Sequence, residues 1–174
     1  MRLSPTSIAA ILSFCAISNL ALGQSVEPQL EAPEPDITTF DAGESYTTTF
    51  DTKNDIDIRI LDGGVLVNGV GYTMYNSYRL SNYGTLDNNG TLTSNEDGSL
   101  FNDNSGTLTN DGTLRNDTVS TLTNNGTLTN DHYLYNYGNL NNQSGGRLYN
   151  NGTLTQGPGV LINMGTLTNN GSLY

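Results

Sequence analysis

The imidazole and carboxyl side chains of this 174-residue chain, the groups most used for proton transfer, are one histidine, His132, and seventeen carboxylates. A histidine that activates a nucleophile needs a hydroxyl or thiol held beside it and a third group to orient its ring. The stretch Asn130-Asp131-His132-Tyr133 suggests no such partner, so His132 reads as a residue that fills a corner or faces solvent. Carboxylates recur at turn-like positions, first Asp55, Asp57 and Asp62, then Glu96, Asp97 and Asp103. Calcium takes about six to eight oxygen ligands, and Asp- and Asn-rich corners can supply some of them. The calcium-binding nonapeptide GGxGxDxUx is absent from the chain, however, and no metal is expected. Glycosidase or lyase chemistry needs carboxylates or cations fixed in a cleft. Here the acidic residues mostly replace Asn or Gly within a repeated pattern, so the chain reads as non-enzymatic and without a cofactor.

Two other residue sets carry binding chemistry. Threonines occur as TxT pairs: Thr91/Thr93, Thr107/Thr109, Thr121/Thr123, Thr127/Thr129, Thr153/Thr155 and Thr166/Thr168. A flat TxT file is how some ice-binding surfaces look, and Thr107, Thr109, Thr127 and Thr129 are expected to share one face before Arg147 and Tyr149 interrupt it. Tyrosines gather early (Tyr72, Tyr75, Tyr78, Tyr83), in the middle (Tyr133, Tyr135, Tyr137) and late (Tyr149, Tyr174). Exposed aromatic rings stack on sugars or partner proteins. Tyr133, Tyr135, Tyr137 and Tyr149, with those four threonines, are the candidate contact surface, and glycans or surface proteins the candidate partners. The plainer alternative is that Tyr is simply a good strand residue.

The elements that position these residues follow from a repeat, legible in Gly126-Thr127-Leu128-Thr129-Asn130 and recurring from residue 58 to residue 174. Aligned on the central apolar residue, the units give a column that starts Ile60, Leu66, Met74, Leu80 and continues as leucine to Leu173, eighteen units in all. Two positions before each column member lies mostly Gly, and two positions after lies mostly Asn, with Asp62, Ser94 and Gln156 as interruptions. Residues two apart share one side of a strand, so Gly, Leu and Asn face inward while Thr and Tyr face out. Helix is excluded, because spacings of six and eight scatter the leucines and an Asn and a Gly in nearly every unit cost helix propensity. Glycine is expected to supply the positive φ of each corner.

A strand of about three residues cannot bury its leucine alone and needs neighbours above and below. Taken in threes, the spacings sum to turns near twenty residues, which predicts a single-stranded, three-sided parallel β-helix of about six coils. At about 4.8 Å per coil the rod would be roughly 29 Å long. Longer units would bulge at corners, leucines would stack in three files, and inward asparagines would form hydrogen-bonded ladders. The mixed spacing and the Gly placement differ from those of the hexad acyltransferases, which also coil in this way. The motifs Asn-x-Thr/Ser, as at Asn125-Gly126-Thr127, match the glycosylation acceptor pattern as by-products of the repeat.

The ends differ from this array. Residues 1–23 read as a signal peptide: Arg2, an apolar run from Ile8 to Leu22, and Ala21-Leu22-Gly23 as the cleavage site. Cys15 lies within it, and Phe14 before it does not suit a lipoprotein signal. Cleavage would leave a chain without cysteine, excluding disulfides, thiolate zinc sites and a thiol nucleophile. No membrane span is expected after cleavage. Residues 24–36 are Pro-rich and acidic and read as a flexible extension. Residues 37–57 read as an N-terminal cap or first coil ahead of the solenoid at 58–174. Loss of Arg2 leaves five basic side chains against seventeen acidic ones, a balance of 5 − 17 = −12, which argues against nucleic acid as a partner. The given sequence stops in mid-repeat at Leu173-Tyr174, which reads either as an exposed last coil whose unpaired strand edges invite end-to-end self-association or as a fragment of a longer repeat protein.

The runs GTLTNDGTLRN, STLTNNGTLTND and NMGTLTNNGSLY resemble the GTLxN arrays of bacterial surface and secreted proteins, the filamentous-haemagglutinin-like and autotransporter-passenger β-helices. The resemblance covers residues 58–174 and implies a secreted or cell-surface solenoid, right-handed, used as a structural stalk or in adhesion.

Overall fold

The computed structural model describes residues 37–174; the expected signal peptide, the expected extension and Cys15 lie outside the described residues. Every described element is a short strand, from β1 (Ile37–Phe40), β2 (Ser45–Thr47) and β3 (Thr52–Asn54) to β19 (Val160–Asn163), β20 (Thr166–Asn169) and β21 (Ser172–Leu173). Each strand pairs in parallel with the strands three before and three after it in the chain, so that three seven-stranded sheets enclose one core. The fold is a three-sided parallel β-solenoid of seven turns. None of the described residues forms a helix long and apolar enough to cross a membrane.

The inward files are leucines stacked in register, Leu80 on Leu100, Leu122 and Leu140 in one sheet and Leu86 on Leu108, Leu128 and Leu148 in the next. They are fully buried, and removing each from water contributes about 1.5–3 kcal/mol. Two expectations are corrected by the register. Ile58, not Ile60, lies opposite Leu80, and Ile60 lies opposite Asn82 with Phe40 on its other side. Both isoleucines point inward because they are two residues apart, so parity alone could not choose between them. Ile60, rather than the exposed turn residue Asp62, therefore interrupts the asparagine file. The six turns built by β4 to β21 are preceded by a first turn of β1, β2 and β3, seven in all, with Thr38, Tyr46 and Thr52 in the leucine positions.

The turns vary from 18 to 22 residues without disturbing the register. Short corners are two residues long. In seven corners the chain instead makes a four-residue β-turn closed by its own hydrogen bond, as in Gly98 N–H to Asn95 O (2.7 Å) and Gly146 N–H to Gln143 O (2.8 Å). The positive φ angles occur only in these longer corners, at Gly43, Gly63, Gly71, Glu96 and Asp97. The recurrent glycine two residues before each leucine is not among them, so its conformational role was misjudged. A Cβ on Gly126 would run into the carbonyl oxygens of Asp103 and Gly106 in the turn beneath, and the other glycines of this column are similarly confined. These glycines let one turn lie directly on another.

Asparagine holds the corners. Asn110 accepts from Asn88 Nδ2 (2.6 Å) and donates through its own amide to Asn130 Oδ1 (2.7 Å) and to the carbonyl of Tyr133 (2.8 Å). Each buried carboxamide thus ties its strand to the next turn and the next turn's corner to itself. One ladder runs from Asn68 through Asn88, Asn110, Asn130 and Asn150 to Asn169, and a second from Asn82 through Asn102, Asn124 and Asn142 to Asn163. The third is broken. Asn76 donates to the shorter Ser94 (3.3 Å), and Asn116 Oδ1, directly opposite Ser94, is buried without a partner.

Ser94→Asn is expected to close this gap and raise stability by about 1 kcal/mol, seen as a rise in Tm; an unchanged or lower Tm would show that the break is not an energetic defect. Gly126→Ala should cost about 1–3 kcal/mol through the clash with the turn beneath. Gly145→Ala, whose new methyl would meet nothing closer than 3.5 Å, should lie within about 0.5 kcal/mol of the parent. Equal effects of the two alanines would contradict the close-approach account.

Candidate functional site

With Leu and Asn turned inward, the side chains available for contact are the two outward positions on each strand. The eight candidates fall on two different sheets. Thr107 and Thr109 lie opposite Thr127 and Thr129, and the next turn places Arg147 and Tyr149 over them. The turn before Thr107 and Thr109 presents Thr85 and Asp87. Tyr149 thus borders the threonine patch, which spans two successive turns.

Tyr133 and Tyr135 project from β15 (Tyr133–Asn136) in the third sheet, and Tyr137 follows at the corner. Their rings form a row with centroids 6.0 Å and 6.4 Å apart and nearly parallel planes. The row is extended at its start by the exposed His132, whose ring lies 4.0 Å from that of Tyr133. At the far end the Arg115 guanidinium sits over Tyr137, 4.6 Å from the ring centre, within cation–π range. Tyr137 also lies close over Gly157, where any added Cβ would strike the ring. Arg115 was not among the sequence candidates. The signal was present, since Arg115 and Tyr135 hold the same position in units one turn apart.

The carboxylates do not converge. Asp55 and Glu96 each meet Lys53 at 3.1 Å, and these bonds, Asp55 first, raise the lysine's pKa. Asp57 binds Arg59 (2.8 Å), Asp117 binds Arg115 (2.6 Å), and Asp103 accepts from the backbone of Asn104. Glu96 and Asp97 shape their corner by adopting positive φ. Among the described residues no group of three or more His, Cys, Asp and Glu side chains is placed to hold a metal ion. His132 is exposed at a corner, in the position that glycine fills in neighbouring turns.

Comparison of the chain with models of protein families, with curated proteins and with solved structures finds no match. The surface chemistry is therefore the guide to function.

Asp87 is an outward carboxyl whose environment resists ionisation. Burial, and secondarily Asp111, hold its pKa above the ordinary carboxylate value, while a hydrogen bond with Thr109 acts the other way. The folded chain therefore binds this proton more tightly than the unfolded chain, and stability falls as pH rises from the ordinary value through the raised one. Asp87→Asn should raise Tm near pH 7 and leave it unchanged near pH 3, where Asp87 is already neutral. Equal gains at both pH values would refute this assignment.

Proposed function

We propose that this chain is a secreted or cell-surface structural protein of adhesive type, a non-enzymatic rod that displays contact residues on a rigid frame. The observation that carries the reading is the row Tyr133–Tyr135–Tyr137 with Arg115 over its end. Aromatic side chains hold large contact area with few rotatable bonds, and a backbone fixed by neighbouring turns orders them before a partner arrives. Tyrosine hydroxyls and the guanidinium supply polar contacts to a sugar or a protein surface. The resemblance to GTLxN-repeat surface proteins points the same way.

A second reading, ice binding, is favoured by the in-register pairs Thr107/Thr109 and Thr127/Thr129. Asp87 before them and Arg147 and Tyr149 after them confine that array to two turns. An enzyme acting on polysaccharide ranks third.

Labelled chain applied to a glycan array and to host-surface proteins should be retained. Tyr133→Ala/Tyr135→Ala is expected to lower that retention at least tenfold with no change in Tm. Unchanged retention would remove the aromatic row from the function. Thermal hysteresis in the parent, lost in Thr109→Tyr/Thr129→Tyr, would instead support ice binding, and turnover of a polysaccharide panel would support the enzyme.

A further inference from the structure

Much of the ring surface in the tyrosine row is already used within the protein. Neighbouring rings, 6.0 Å and 6.4 Å apart in planes tilted by 18° and 11°, are offset-stacked, so each covers part of the next. The His132 imidazole lies against Tyr133, with ring centres 4.0 Å apart. Tyr137 has the Arg115 guanidinium of the turn beneath over its ring, and Gly157 of the turn above so near that an added Cβ would strike Cδ1 and Cε1. Tyr133 is exposed, while Tyr135 and Tyr137 are half-buried. The row therefore offers ring edges and phenol hydroxyls to a partner. None of the three hydroxyls has a hydrogen-bond partner among the described residues. Each can both donate and accept.

A sugar that stacks on an aromatic side chain lays its C–H groups on an open, electron-rich ring face. That is the surface this row has least of. A ligand that suits the row must instead present hydrogen-bonding groups in a line, at about the spacing of the rings. In an extended polypeptide, carbonyls that point to the same side recur every two residues, about 6.4–6.8 Å apart. The tyrosines are themselves two residues apart along one line of chain, so their spacings of 6.0 Å and 6.4 Å come close to that repeat. Hydroxyls also border the row: Thr113 lies beside Tyr133 in the turn beneath, and Thr153 and Thr155 lie beside Tyr133 and Tyr135 in the turn above. The guanidinium that touches the rings is neutralised by Asp117 at 2.6 Å. The strip therefore favours a segment that carries no charge.

We infer that the row takes a segment of a partner protein and not a sugar: an uncharged, extended strand lying along Tyr133, Tyr135 and Tyr137, its carbonyl oxygens accepting from their hydroxyls. This rests on the reading of the row as the contact surface and narrows it to one class of partner. Specificity comes from the hydroxyls, while the stacked rings hold them in line.

Phenylalanine separates the two classes of ligand, because Tyr→Phe removes a hydroxyl and leaves the ring. The labelled full chain is applied to a glycan array and to an array of synthetic peptides that alternate Val or Ile with Thr or Ser. The parent should be held by peptides, and Tyr133→Phe/Tyr135→Phe/Tyr137→Phe should lower that retention about tenfold or more with an unchanged Tm. Tyr133→Phe alone alters the exposed member of the row and serves if the triple variant is unstable. Peptide retention that phenylalanine leaves intact, a parent held by glycans and not by peptides, or a parent held by neither would each overturn the inference. In the first two cases, loss of retention in Tyr133→Ala/Tyr135→Ala would still keep the row as the contact surface. Retention that neither phenylalanine nor alanine alters would remove the row itself.

Discussion

The structure depends on a buried carboxamide that satisfies its oxygen on the turn beneath and both amide hydrogens on the turn above. Asn110 and its equivalents commit both amide hydrogens and the side-chain oxygen to partners at this one spacing. A buried polar group without partners costs about 1–3 kcal/mol, so a slipped turn would strand several such groups at once. The leucine files supply most of the apolar driving force, but they are tolerant of sliding. Register is fixed at the corners, by asparagine.

This explains how turns of 18 to 22 residues stack without error. Additional residues are pushed outward as β-turns with their own internal hydrogen bonds, and the strand that follows resumes at the same inward position. Where the ladder side chain shortens to Ser94, the backbone pairing of that strand persists while Asn116 Oδ1 is orphaned. Neighbouring ladders carry the register past the defect.

Most of the architecture was legible because the inward residues are chemically monotonous. Spacing of Leu and Asn gave the parity, the three faces and the pairing of Leu80 with Leu100 and Leu108 with Leu128. It failed where different residues meet the same physical need. Thr38, Tyr46 and Thr52 take leucine positions in the first turn, and Ile60 takes an asparagine position, so β1 to β3 escaped the column. Glycine recurred at the expected places for another reason, since a one-dimensional pattern does not reveal a carbonyl oxygen one turn away. The candidate contact residues divided between two sheets because their grouping depends on which third of a turn each unit occupies. Arg115 over Tyr137 was missed because it lies about a turn away along the chain.

The confinement of the column glycines has a consequence for how such a chain can change. Folding information resides in alternate residues, Gly, Leu and Asn, while the residues between them are almost free of it. The outward file Thr85, Thr107, Thr127, Arg147, Thr166 already shows a cation replacing a hydroxyl with the strand intact. Surface chemistry and foldability are thus interleaved residue by residue yet nearly independent, so new recognition properties can accumulate by single substitutions without a compensating change inside.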